Sequence, residues 1–100
     1  MNIHNLEINK GDSSSYTLNF TNDITGLIIT FLVKENKDSI EYVIEKTAVH
    51  QDIHTAIVVL NSTDTIDLEV KTYVFGIKVE DSEHNFKTLM KGDFIVSWGV

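Results

Sequence analysis

From Thr72 to Glu80 the chain reads TYVFGIKVE, and its residues alternate without a fault. Tyr73, Phe75, Ile77 and Val79 share one side; Thr72, Val74, Gly76, Lys78 and Glu80 share the other. A repeat of two sustained this long is a β-strand with one buried face. The stretch before it, residues 62–68, reads as one polar helical turn. Ser62 or Thr63 is its expected cap, and Leu68 closes it by dropping into a core. A leucine on a turn, then a tyrosine opening a strand, is the layout of a corner in a β-sandwich. There the tyrosine hydroxyl bonds back to the turn's backbone and pins it.

Alternation recurs along the chain. Residues 1–9 read as a first strand with Leu6 and Ile8 inward, and Lys10-Gly11-Asp12 as a turn. Tyr16, Leu18 and Phe20 alternate with polar residues, and Asn22 to Gly26 turn the chain. The run 26–34 is apolar on both faces. It predicts a central strand covered on both sides, or covered on one side by a neighbouring subunit. Ile40 to Val49 reads as one strand nearer an edge, with Tyr42, Ile44 and Ala48 on one face. His50 to Asp52 read as a turn, and residues 53–60 as a strand with Ala56, Val58 and Leu60 together. After the corner strand come a loop at Asp81–Asn85, a short strand at Phe86–Met90 and a second Lys-Gly-Asp turn at 91–93. Phe94, Val96, Trp98 and Val100 alternate to the end.

The expectation is an all-β fold: an antiparallel β-sandwich of immunoglobulin-like character, with seven to nine strands and one helical turn near 62–68. Its 100 residues are read as a single domain, 1–100, long enough to bury roughly 60–70% of the unfolded surface. A small barrel is the structural alternative. There is no cysteine, hence no disulfide framework and no thiolate metal site. No signal peptide or membrane span is read in it.

Fifteen acidic residues stand against eight lysines, with no arginine and a net charge of −7. A chain without arginine lacks the usual guanine reader and phosphate clamp, and its charge repels a polyanion. Nucleic acid and anionic membrane surfaces are therefore not expected partners. Proline is also absent, so sheet edges must be managed by charge and by partners.

Reaction chemistry is hard to find. Of His4, His50, His54 and His84, only His50 and His54 have a metal-like spacing. In a turn entering a strand, that spacing puts them about 13 Å apart, so surface histidine is the better reading. Asp64, Asp67 and Glu69 supply calcium-type oxygens but lack the glycine of a sharp binding loop, and capping explains Asp64 and Asp67. No serine sits in a G-x-S-x-G elbow, and no glycine-rich phosphate loop is present. No catalytic, cofactor-binding or metal residue is singled out, no cofactor is expected, and the chain is read as a non-enzyme. Tyr16, Phe20, Phe31, Tyr73, Phe75, Phe94 and Trp98 fall on inward faces; Tyr42 and Phe86 are the candidates for an exposed sugar platform. Trp98 could instead pack against a partner.

The order of motifs carries a resemblance. It runs Ile8-x-Lys10-Gly11-Asp12, Thr25-Gly26-Leu27 through Val33-Lys34, residues 60–65, Tyr73-x-Phe75-x-Ile77, then Thr88 through Phe94 to Val96. It resembles the N-terminal domain of the baseplate upper protein of tailed bacteriophages and related small immunoglobulin-like virion sandwiches. One departure is Lys71-Thr72, where that family usually carries a glycine before the corner tyrosine. The resemblance implies a non-enzymatic structural protein of a virion, assembled in the host cytoplasm. Its partners would be other virion proteins, namely major capsid, head fibre or tail and baseplate subunits, with a homo-oligomer left open. With the last strand running to Val100, no room is expected for a distal domain, which favours capsid decoration or cementing, or a ring-to-ring adaptor. The alternative is a carbohydrate-binding or adhesion module.

Overall fold

Alternation makes the strands here, and long-range pairing decides which sheet each one joins. In chain order they are β1 (Asn2–Asn9), β2 (Ser14–Asn19), β3 (Ile28–Lys34), β4 (Ile44–Thr47), β5 (Val49–Asp52), β6 (Thr55–Leu60), the helical turn α1 (Ser62–Thr65), β7 (Thr72–Glu80) and β8 (Phe86–Ser97). This computed structural model describes residues 2–98. Met1, Gly99 and Val100, and the side chains of Asn2, Ile3 and His4, lie outside the described residues. A five-stranded sheet in the order β1-β8-β7-β3-β4 packs on a three-stranded sheet, β2-β6-β5. The fold is an all-β sandwich of immunoglobulin-like type.

The inner faces interleave as the alternation requires. Ile29, Phe31 and Val33 of β3 and Tyr73, Phe75 and Ile77 of β7 meet Ala56, Val58 and Leu60 of β6 in one core. Phe31 is its hub, with ring centroids 5.6 Å from Phe75, 5.9 Å from Phe94 and 6.0 Å from Tyr16. Burying each such ring contributes about 1.5–3 kcal/mol.

Turn chemistry replaces the missing proline. In four loops an Asp or Asn side chain accepts the backbone N–H two residues on: Asp23 from Thr25, Asn36 from Asp38, Asp52 from His54 and Asp81 from Glu83. Each is an Asx turn, which bends the chain without proline. Hydrogen bonds hold three of these carboxyls below the usual aspartate range: chiefly from the Thr25 side chain to Asp23, from the His54 N–H to Asp52 and from the Asn85 N–H to Asp81, with the Thr25 and Glu83 N–H groups adding to it.

Several expectations are corrected by pairing. First, β1 is parallel to β8, with Leu6 opposite Phe94 and Ile8 opposite Val96, so the large sheet is mixed. A hairpin forces antiparallel neighbours, but the rest of the sandwich separates these two strands, which frees their direction. Second, residues 40–49 are not one strand: β4 lies in the large sheet, β5 in the small one, and the chain crosses at buried Ala48. Third, residues 50–52 belong to β5, and the turn is Ile53-His54, set by the Asp52 bond.

Fourth, the two Lys-Gly-Asp tripeptides are not alike. Gly11 sits in a turn at φ 84°, where a side chain would meet Ile66 Cδ1 at 3.0 Å. Residues 91–93 lie inside β8, paired with β7 on one side and β1 on the other. Fifth, β8 is continuous from Phe86, but Ile77 faces Met90 while Lys78 faces Thr88. The skipped residue, Leu89, is a bulge that flips the face and sends Phe86 outward. Sixth, Trp98 follows the last paired residue and is 71% exposed, with Lys10 Nζ 5.7 Å from its ring centre.

Candidate functional site

The outer face of the large sheet carries a concavity. The run 26–34 is not covered on both faces by its own chain. Ile28 is exposed, while Leu32 is only 7% exposed because neighbouring strands wall it in. Leu32 stands opposite Gly76, and Gly76 opposite Lys91, in one row across β3, β7 and β8. The next row is Lys34, Val74 and Asp93. Because Gly76 has no side chain, the row dips between its neighbours. The result is a groove of about 360 Å³ with Leu32, Val74 and Gly76 as floor and Lys34, Lys37, Lys78 and Lys91 around it. Tyr42 closes one side, its ring under Lys34 Nζ at 5.4 Å. Sequence reasoning missed this arrangement; the readable signal was a lone glycine in an otherwise unbroken strand.

At the corner, the Tyr73 hydroxyl donates to the Glu69 carbonyl at 2.9 Å, as the tyrosine-corner layout requires. Burial raises its pKa. The helical turn begins from Asn61, not Ser62 or Thr63: the Asn61 N–H donates to Asp64 Oδ2 at 2.7 Å, and that carboxylate also pairs with Lys46 at 3.0 Å. Asp64 can close the turn this way because it sits at its third residue. Fully buried Thr65 was not anticipated. Its Oγ1 accepts from Gly11 N at 3.0 Å and donates to the Asp12 carbonyl at 3.1 Å, tying the first turn to the corner. Leu68 packs half-buried against the core. Only His84 among described non-glycine residues has a positive φ, so Lys71-Thr72 needs no glycine.

The opposite flank is looser. No strand among the described residues pairs with the outer edge of β2. A cleft of about 330 Å³ runs beside it, between Tyr16 and Leu18 of β2 and Leu6, Ile77 and Met90 of the large sheet. The Tyr16 hydroxyl is buried there with no partner at hydrogen-bonding geometry. Desolvation raises its pKa, and the nearby Ser14 side chain partly offsets this.

Two histidines make contacts at loops. His54 is exposed and its Nδ1 lies 3.0 Å from the Asn22 carbonyl; His84 Nδ1 lies 2.7 Å from Glu80 Oε2. His50 is exposed on β5. No cluster of three metal-type ligands occurs among the described residues. Asp67 and Glu69 are exposed. Of the aromatics, Tyr42 and Phe86 reach solvent at 38% and 68% exposure and flank a shallow pocket with Glu45 and Glu80.

The two sheets, the crossing at Ala48 and the tyrosine corner define an immunoglobulin-like β-sandwich. No protein-family model and no curated protein matches the chain. Solved structures do match in fold. The N-terminal domain of phage TP901-1 ORF48 superposes with a TM-score of 0.61 at 14% identity, covering 97% of this chain and 99% of that one. CopC from Methylosinus trichosporium OB3b gives 0.55 at 19% identity, covering 96% and 86%. Murine CRIg gives 0.50 at 10% identity, covering 92% and 91%. At these identities the likeness is one of fold.

Proposed function

We propose that the chain is a structural protein of a bacteriophage virion that works by protein–protein contact and without catalysis. The observation that carries this is the end-to-end match to a phage domain, 97% of one chain on 99% of the other. Its role is that of a capsid decoration or cement, or of a tail or baseplate adaptor. Its partners are other virion proteins: major capsid, head fibre or tail and baseplate subunits. The lysine-ringed groove gives such contact a defined seat. Mass spectrometry of purified virions tests the reading. The chain is expected at a copy number matching a symmetric ring or lattice, and its absence from the particle ends the proposal.

A second reading, a carbohydrate-binding or adhesion module, is supported by one observation. Exposed Tyr42 and Phe86 flank a pocket with two carboxylates, Glu45 and Glu80. Sugars stack on aromatic faces and donate to carboxylates, so a glycan array is the direct test. Silence on the array removes this reading.

A further inference from the structure

We propose that the outer-face groove binds an acidic linear segment of a partner protein, seating an apolar side chain over Leu32 and Gly76 between flanking carboxylates. The inference rests on reading the chain as a contact module, but not on which particle it belongs to.

Charge is the first argument. Half of the eight lysines in a chain of net charge −7 line this one groove. Lys91 faces Gly76 across the strand pair, Lys78 follows it by two residues on β7, and Lys34 stands on the next row of β3. None of the four appears in the ion pairs among the described residues, which use Lys46, Lys71 and His84. Asp93 is the single acidic side chain on the lining. Like charges gathered on one face repel one another. In a concave site with an apolar floor, their field is focused on whatever enters. An anionic partner relieves that repulsion and is steered in by it.

Gly76 is the second argument. Glycine weakens a strand interior. Its φ is not in the left-handed region, and a Cβ built there meets only the Met90 carbonyl oxygen, at an ordinary 3.7 Å. Nothing in the fold therefore requires a glycine, while the space above it forms the lowest part of the groove. The floor is apolar, so the occupant must bring an apolar side chain as well as charge. Lysine is well suited to such a rim, because its flexible stem lies along apolar surface while the ammonium stays in solvent. Nucleic acid does not fit, since a polyanion carries no side chain for the floor and meets a net-acidic protein.

The test is selection of a random library of short displayed peptides on the immobilised protein. Enriched peptides should carry Asp or Glu on both sides of a Leu, Ile, Val or Met, and added salt should weaken their binding. Charge reversal at Lys34→Glu with Lys91→Glu should reduce affinity about tenfold or more. Gly76→Val should abolish binding while the melting temperature holds or rises, because valine favours a strand. Amide shifts on binding should centre on Leu32, Val74 and Gly76. No enrichment, basic or uncharged consensus peptides, or binding indifferent to either variant overturns the proposal. So does capture of a sulfated polysaccharide in place of any peptide. A chain absent from virions that still selects acidic peptides defeats the virion reading alone; a chain present in virions that selects none defeats this one alone.

Discussion

Tyr73 and Tyr16 both reach into the core from opposite sheets, yet one flank is closed and the other open. The Tyr73 hydroxyl has a backbone acceptor at 2.9 Å, and Thr65 ties the same region to the first turn with two more bonds. The Tyr16 hydroxyl is hidden from water and has none. A buried hydroxyl that finds a partner contributes about 0.5–1.5 kcal/mol, whereas one that does not loses the water it had and gains nothing. The corner is thus a fastening, whereas β2 is paired with β6 on one side only and its outer margin, beside the cleft, has no such polar tie. The chain concentrates its polar fixing where a long connection between sheets must be held.

The largest effect tests what the two flanks share. The Phe31 ring lies 6.0 Å from Tyr16 of the small sheet and 5.6 Å from Phe75 of the large one. Phe31→Ala should cost about 3–5 kcal/mol in urea unfolding. A loss under about 1 kcal/mol would mean the sheets are not joined through this ring.

Thr65→Val comes next and breaks the closed flank alone. It keeps the volume but leaves the Gly11 N–H without its acceptor, for a cost of about 1–3 kcal/mol. Amide exchange at Gly11 should speed up more than at β2. Tyr73→Phe should cost about 1–2 kcal/mol, since the Glu69 carbonyl loses its donor. If either variant is neutral, the corner is no fastening and the contrast collapses.

The tyrosine of the corner was legible in the chain, whereas its Thr65 tie and the open margin of β2 were not. Tyr73 declares itself through strict alternation and a preceding helical turn, both local features. The parallel course of β1, the crossing at Ala48 and the burial of Lys91-Gly92-Asp93 inside β8 depend on partners far away in sequence. Period two runs from Ile44 to Ala48, where the chain leaves one sheet for the other, because alternation reports a face and not which sheet owns it. The groove was hidden for the same reason. Lys34, Lys78 and Lys91 are scattered until register puts them around Gly76.

Acid acts on neither tyrosine, whose pKa values are raised above 10, but reaches the loops. Asp23, Asp52 and Asp81 have lowered carboxyl pKa values in the folded chain. Their contribution is complete above the ordinary aspartate value of 3.8 and fades as pH falls through the lower folded values. In NMR titration, the amides of Thr25, His54 and Glu83 should shift together below that value while Tyr73 stays bonded. Loop amides that titrate at the ordinary aspartate value would mean the Asx bonds are absent in solution.

The smallest effect carries the opposite sign and decides the contrast. Tyr16→Phe removes a hydroxyl with no bonded partner and leaves the ring against Phe31 in place. No backbone acceptor is orphaned, unlike at Tyr73. Stability should therefore stay level or rise, by less than about 1 kcal/mol. The paired measurement is the difference between Tyr73→Phe and Tyr16→Phe under identical urea conditions. A loss at Tyr16 equal to that at Tyr73 would mean its hydroxyl is held after all, by a water lodged in the cleft beside β2. The two flanks would then be fastened alike, one by backbone and one by solvent.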